Sequence, residues 1–258
     1  MSGMPLTDVP GAPIWVELYT SDPDAATRFY ARLFGWSSED SGPEYGGYRT
    51  FQHGGGRIAG CMVNDHTTGG VNSWSVYLET DDAEATVRMA EANGGTISIE
   101  PLQVGDLGHM AFVHDPSGAL VGIWQPGSND GISARGEVGA PAWFELLTSD
   151  FAAATEFYKQ AFGWTLHNVG DTDEFPYSTL GKDEDALAGV MDASGFLDGA
   201  GSAWSVYFAV ADTDATACEA EESGGSVLRP PEDSPYGRMA ELADPQGARF
   251  KILGPNAA

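Results

Sequence analysis

Cysteine, basic residues and long apolar runs are all scarce in this 258-residue sequence. There are two cysteines, Cys61 and Cys218. Neither has a second cysteine nearby, so a disulfide framework is not expected, and the usage suits a reducing, cytoplasmic compartment. Lys and Arg together number 12 against 38 Asp and Glu, a net charge of -26. Such a surface repels phosphate backbones and anionic lipid heads, which excludes non-specific nucleic-acid binding and peripheral membrane binding. The excess charge is read as solubility. No stretch approaches the ~18 apolar residues of a membrane span. Met1 to Pro13 shows no basic segment followed by an apolar run, so no signal peptide is expected there. The nucleophile elbow G-x-S-x-G and the phosphate loop G-x-x-x-x-G-K are also missing.

What the sequence does have is a long internal repeat. Gly11 to Trp36 reads GAPIWVELYTSDPDAATRFYARLFGW, and Gly139 to Trp164 reads GAPAWFELLTSDFAAATEFYKQAFGW. NSWSVYLETDDAEA, from Asn72, is answered by SAWSVYFAVADTDA around Trp204. GHMAFVHDPSGA, from Gly108, is answered by GRMAELADPQGA, from Gly237. Three blocks in one order, sharing Trp, Phe and Tyr at fixed spacing, indicate a tandem duplication. The intervening segment, Gln125 to Gly139, is rich in Gly, Ser and Asn and reads as a linker. The expected boundaries are one domain over 10–127, a linker over 128–139 and a second domain over 140–258.

Each half also repeats internally. A strand pattern runs into an Asp-led helix at Trp15–Asp22, Trp74–Asp82, Trp143–Asp150 and Trp204–Asp212. Ile14 to Thr20 alternates and is rich in β-formers, so it reads as a strand. Ser21 or Asp22 can cap the following helix, with Pro23 in its first turn and Gly35 as its stop. Ala83 to Asn93 and Thr213 to Ser223 read as the second and fourth helices. Tyr48–Gln52, Arg57–Val63, Thr96–Ile99, His109–His114 and Ala119–Trp124 read as strands. Gly54 to Gly56 suits a hairpin turn, and Asp115-Pro-Ser-Gly and Asp244-Pro-Gln-Gly suit tight turns. The expected class is therefore α+β: four β-α-β-β-β modules, paired into two curved sheets with helices on the convex side and a cleft inside.

The W-x-E-L-x-T-S-D strand and helix start, the F-Y…F-G-W at the helix end and the D-P-x-G-A turn carry a resemblance. Their order resembles the vicinal oxygen chelate superfamily of glyoxalases, bleomycin-resistance proteins and dioxygenases. The pattern is similar to its two-domain actinobacterial members labelled glyoxalase-like or hydroxylase-like. That resemblance implies a metal-binding position seven residues before the Asp that opens each helix. Counting back gives Trp15, Ser75, Trp143 and Ser205; a slip of one gives Trp74 and Trp204. It also implies a Glu on the last strand, where this chain has Gly122 and Lys251. Indole offers no lone pair, neutral Ser is a weak ligand, Gly has no side chain and Lys is normally protonated. No metal or other cofactor is therefore expected. The five histidines are His53, His66, His109, His114 and His167. His109 and His114 are five apart, point to opposite strand faces and cannot chelate as a pair. A displaced set of Glu17, His53 and His109 stands as the lesser alternative.

Period two places Trp15, Glu17 and Tyr19 on one strand face, which the family pattern turns toward the cleft. Trp143 and Glu145 repeat the pair, and Ser75 with Tyr77 and Ser205 with Tyr207 add polar groups. These residues suit a small, flat organic ligand. A dead cleft plugged by Trp15 and Trp143 is the competing reading, with Arg49, Arg57 or Tyr77 as partner for Glu17. An enzyme would use Glu17 as general acid or base with Tyr77 or His109 as proton-transfer companion. A third reading is a purely structural or surface-interaction protein. Since related single-domain proteins pair to complete their clefts, the tandem chain is expected to be a monomer or weak homodimer.

Overall fold

The structure is a computed structural model that describes residues 9–42, 45–65, 70–170, 176–197 and 201–257. His66 lies outside the described residues. The first half contains β1 (Pro13–Thr20), α1 (Pro23–Phe34), β2 (Ser37–Asp40), β3 (Arg49–His53) and β4 (Gly56–Val63). It continues with β5 (Ser73–Glu79), α2 (Ala83–Ala92), β6 (Thr96–Val104), β7 (Gly108–His114) and β8 (Leu120–Pro126). The second half repeats this order. It runs through β9 (Pro141–Thr148), α3 (Phe151–Phe162), β10 (Leu166–Gly170), β11 (Tyr177–Leu180) and β12 (Ala188–Asp192). Then come β13 (Ala203–Ala209), α4 (Thr213–Glu222), β14 (Ser226–Ser234), β15 (Gly237–Ala243) and β16 (Arg249–Gly254). The strands form two eight-stranded sheets, ordered β2-β3-β4-β1-β5-β8-β7-β6 and β10-β11-β12-β9-β13-β16-β15-β14. This is the α+β, four-module architecture read from the sequence.

Local chemistry explains the elements. Asp22, Asp82, Asp150 and Asp212 each cap a helix, their carboxylates accepting from Ala25, Ala85, Ala153 and Ala215 amides at 2.9–3.0 Å. Each such cap stabilises its helix by about 1 kcal/mol. Gly35 and Gly163 end α1 and α3 in the left-handed conformation, at φ 70° and 71°, where a Cβ would be strained. The strand expected over Thr96–Ile99 runs on to Val104, through Pro101. Proline is tolerated because β6 is the sheet's edge and pairs only with β7, so its missing N–H leaves no ladder bond unmade. β14 does the same with Pro230 and Pro231. No helix among the described residues is long and apolar enough to cross a membrane.

The chain packs as two compact units, and each draws on both halves of the sequence. Unit A comprises the described residues up to Trp15, Val76–Gly131 and Phe144–Trp204; unit B comprises Val16–Ser75, Ile132–Trp143 and from Ser205 onward. In unit A, α2 packs against α3. Tyr158 on α3 is fully buried; it accepts from Trp204 Nε1 at 2.9 Å and donates to Asp115 Oδ2 at 3.1 Å. Asp115 Oδ1 meanwhile closes the DPSG turn by accepting from Ser117 and Ala119 amides.

Unit B is built the same way, with α1 against α4. Tyr30 accepts from Trp74 Nε1 at 2.9 Å and donates to Asp244 Oδ2 at 3.2 Å, while Asp244 Oδ1 takes Gln246 and Ala248 amides. Around Tyr30 stand Phe29, Phe34, Trp36, Phe51, Trp74 and Phe250, with ring centroids 5.1–6.1 Å away. Burial pushes both phenols well above the usual tyrosine range and pushes the Asp244 carboxyl up. The F-Y, W-S-V-Y and D-P-x-G-A repeats thus share a purpose. Each supplies one member of a Trp–Tyr–Asp chain, and each chain joins a helix of one half to a turn of the other.

Candidate functional site

Strand alternation sorts β1 into two faces. Val16, Leu18 and Thr20 are wholly buried, whereas Glu17 and Tyr19 on the other face are half-buried. Register extends that face in unit B: Glu17 lies opposite Gly60, and Gly60 opposite Thr50. The helix-side face carries Leu18, Cys61 and Arg49. Arg49 therefore does not turn toward Glu17 as a partner. Its guanidinium donates to Pro23 O, Thr27 Oγ1 and Asp24 Oδ1 at the start of α1 (3.1, 3.1 and 2.6 Å) and holds the Asp24 carboxyl below its usual range. Burial pushes the Cys61 thiol up to about 12, so it is no nucleophile.

In unit A, Tyr77 lies opposite Gly122, and Gly122 opposite Phe112. The Tyr77 ring sits 5.0 Å from Phe112 and 6.5 Å from Trp124, centroid to centroid. It also covers Gly122 so closely that an added Cβ would run into the ring. Tyr77 is only 2% exposed and Trp15 only 3%. This face is an aromatic layer with its largest members buried.

The same registers correct one pairing. His109 lies opposite Gln125, in phase with the buried Ala111 and Val113. Gln125 Oε1 accepts from the first amide of α2, so His109, read as the alternative to Tyr77 as companion of Glu17, is on the helix side of the sheet. His114, one strand face away, meets Gly118 O through Nδ1 at 3.1 Å. His53 packs its ring beside Gly139 and Phe34 O, at the end of α1, so a Glu17–His53–His109 chelate has no basis in the fold. Trp74 and Trp204 point to the helices and bond the two tyrosines, which removes the slipped ligand positions.

The second half presents the same positions with different chemistry. In unit A, Glu145 lies opposite Gly189, and Gly189 opposite Thr179. Glu145 is 4% exposed, and its Oε1 accepts from Tyr177 OH at 3.1 Å. Tyr177 was not foreseen. Its signal was available: Tyr177 answers Tyr48 at the same 129-residue offset that relates Asp244 to Asp115. In unit B, Trp143 and Ser205 are half-buried. Tyr207 lies opposite Lys251, and Lys251 opposite Glu241. Lys251 Nζ donates to Tyr207 OH at 2.8 Å and stands 4.7 Å from the ring centroid.

The predicted residues are thus distributed over both units. Trp15, Tyr77 and Glu145 belong to unit A, as does His109 on its helix side; Glu17, Tyr19, Ser75, Trp143, Ser205 and Tyr207 belong to unit B. Two open grooves lie elsewhere, at the helix starts. One of about 520 Å³ is lined by Pro10, Asp82 and Phe162 in unit A, and one of about 350 Å³ by Phe34, Val138 and Asp212 in unit B. They lie by the caps of α2 and α4 and collect none of the predicted ligand-binding residues; His53, of the alternative metal set, lines the second.

The sequence model of the glyoxalase/bleomycin resistance protein/dioxygenase superfamily matches residues 13–123 and 140–252. The chain belongs to this superfamily. A Mycobacterium tuberculosis protein named provisionally as a glyoxylase, CFP32, is 37% identical over 250 residues, covering 95% of each chain. The anthracycline biosynthesis protein DnrV of Streptomyces peucetius is 36% identical over 261 residues, covering 95% of this chain and 93% of its own. Among solved structures, the Mn(II)-bound glyoxalase of Novosphingobium aromaticivorans aligns with a TM-score of 0.64 at 16% identity, over 95% of this chain and 83% of that one. The 2,3-dioxygenase LapB of Pseudomonas sp. KL28 aligns with a TM-score of 0.65 at 14% identity, over 96% and 93%. These two structures share the fold with this glyoxalase-superfamily chain.

The superfamily's metal does not fit the residues present. At the expected ligand positions stand a buried indole, Trp15, a glycine under a phenol, Gly122, and an ammonium bonded to a phenol, Lys251. None of these groups donates a lone pair to a divalent ion. Among the described residues, no three His, Cys, Asp or Glu side chains gather as a metal-binding group.

Proposed function

We propose that this superfamily member binds a small, planar aromatic molecule on its inner sheet faces without using a metal. The carrying observation is at the positions where the family resemblance implies chelating side chains: aromatic and cationic ones stand there. Indole and phenol walls gain binding energy from stacking and from apolar burial, at about 25 cal/mol per Å². A similar protein over nearly the full length is named for anthracycline biosynthesis, which supports a polycyclic aromatic ligand. The buried Glu145–Tyr177 pair and the half-buried Glu17 supply polar groups to orient it.

Tryptophan fluorescence tests this reading. Titration with planar anthraquinones is expected to give saturable quenching that weakens at least tenfold in Trp143→Ala. No quenching of folded protein across a panel of bicyclic to tetracyclic aromatics would overturn it. Turnover of such a compound, lost in Glu17→Gln, would instead favour the acid–base enzyme.

A further inference from the structure

Three large aliphatic side chains stand exposed on one sheet face of unit A. Leu102 lies opposite Met110, Ile99 opposite Phe112 and Leu120 opposite His114. Phe112 is also opposite Gly122, so these registers put all three on the face turned away from α2, the one that carries Tyr77. Leu102, Ile99 and Leu120 are 43%, 39% and 37% exposed. β7 lies between β6 and β8, and its Met110 and Phe112 join the three into one patch. A single exposed aliphatic is ordinary, whereas several on one face mark a contact surface.

The duplicated positions in unit B hold the opposite chemistry. Glu232 lies opposite Met239, Arg229 opposite Glu241 and Arg249 opposite Ala243. Arg229 Nε and Arg249 Nη1 both bridge the Glu241 carboxylate, at 3.3 and 3.6 Å. Covering that face with an apolar molecule strips water from charged groups, which is costly. Covering the unit A face releases water from aliphatic carbon, which is favourable. Two copies of one sheet thus offer one face suited to an uncharged ligand and one that resists it.

We infer that the β6–β8 face receives the uncharged ring system of the bound molecule, with Ile99, Leu102 and Leu120 as the contacts that select it. The inference rests on the organic-ligand reading above and adds which face the ligand meets and what polarity it presents there. Two features point to a small planar molecule as the occupant. The patch continues the aromatic layer in which Tyr77 packs against Phe112 and Trp124, at 5.0 and 6.5 Å between ring centroids. A second copy of a chain with net charge -26 would instead bring like charge to the face.

Isothermal titration of the full chain with the neutral probe 2-(hydroxymethyl)anthraquinone tests this. Leu102→Asp and Leu120→Asp should each weaken binding about tenfold. Leu102→Lys should do the same, because a charge of either sign resists burial. Leu102→Met should keep the affinity of the unmodified protein, and Glu232→Gln, at the duplicated position, should leave it unchanged. Trp143 lies on β9, outside both faces, and so separates the claims. Binding that weakens in Trp143→Ala but not in either Asp variant would overturn this inference and leave the organic-ligand reading standing. A loss in Glu232→Gln as large as in Leu102→Asp would overturn it as well. So would a dimer, seen by light scattering, that Leu102→Asp dissociates, since the face would then join two chains. No binding of any neutral anthraquinone by the unmodified protein would take down both claims. Circular dichroism of each variant excludes unfolding as the cause.

Discussion

Two sheet faces of the molecule occupy corresponding positions and have diverged, while the cores behind them have not. In unit A the row is Tyr77, Gly122 and Phe112; in unit B it is Tyr207, Lys251 and Glu241. Behind them run the two Trp–Tyr–Asp chains, which match bond for bond: Trp204–Tyr158–Asp115 and Trp74–Tyr30–Asp244. After a duplication, the helix-side core is constrained because each chain satisfies buried polar groups that would cost about 1–3 kcal/mol if orphaned. The other face carries no such constraint, and there the copies have become different surfaces. One is aromatic and uncharged at its centre, the other cationic.

The largest expected effects probe the aromatic layer. Trp15→Ala should destabilise the protein by about 3–5 kcal/mol, since a side chain 3% exposed leaves a cavity, and half-buried Trp143→Ala should cost clearly less. Urea midpoints at constant slope would measure both, and equal losses would break the contrast. Next, Asp115→Ala and Asp244→Ala should each cost about 3 kcal/mol by stranding two backbone amides and a buried phenol. Their near equality is the point; a large difference would mean that the two chains do unequal work. The pH dependence of Asp244 adds a sign. The folded Asp244 carboxyl lies above its ordinary value because of burial, so the folded state holds that proton more tightly. Its contribution to stability is full below the ordinary carboxylate range and is lost as pH rises through the folded-state value. Asp244→Asn should flatten that part of the stability–pH curve.

How much of this was legible in the sequence depends on period and repetition. The helices, their Asp caps and the four-module plan could be read because capping and alternation are local. The site was legible only in part. Period two sorts Trp15, Glu17 and Tyr77 by strand face and the family resemblance turns the Trp15–Glu17 face to the cleft, but nothing local tells which phase of β7 meets α2, so the sequence alone cannot put His109 on the helix side. That phase is set by Gln125 capping the helix, a contact across 42 residues of sequence. In the sequence Lys251 reads only as a failed metal ligand; the register that sets it opposite Tyr207 and Glu241 is not local. Arg49 looked like a partner for Glu17 until the β3–β4 register turned it to α1.

Smaller effects sharpen the same contrast. Gly122→Ala should destabilise by about 1–3 kcal/mol because its methyl meets the Tyr77 ring, whereas Lys251→Ala, at the half-buried counterpart, forces no atom into Tyr207 and should cost less. Chemical denaturation of the two variants decides this, and equal losses would mean both faces are packed alike. The smallest effect concerns Arg238, which holds the exposed Asp214 and Asp233 below the ordinary carboxylate range through direct hydrogen bonds. That stability is present above the ordinary carboxylate pKa and fades as pH falls through the lowered values. Arg238→Ala should therefore lower stability slightly at neutral pH, and the difference from the unmodified protein in denaturant midpoint should fade as pH falls through the lowered values.

The proposed binding of an organic molecule in place of an ion has one decisive test. Native mass spectrometry of protein purified without chelators tests it in one spectrum. The expected mass is free of stoichiometric divalent metal and shifts by one or two ligand equivalents on adding a planar anthraquinone. A stoichiometric manganese, iron, nickel or zinc adduct, removed by chelation together with ligand binding, would contradict it.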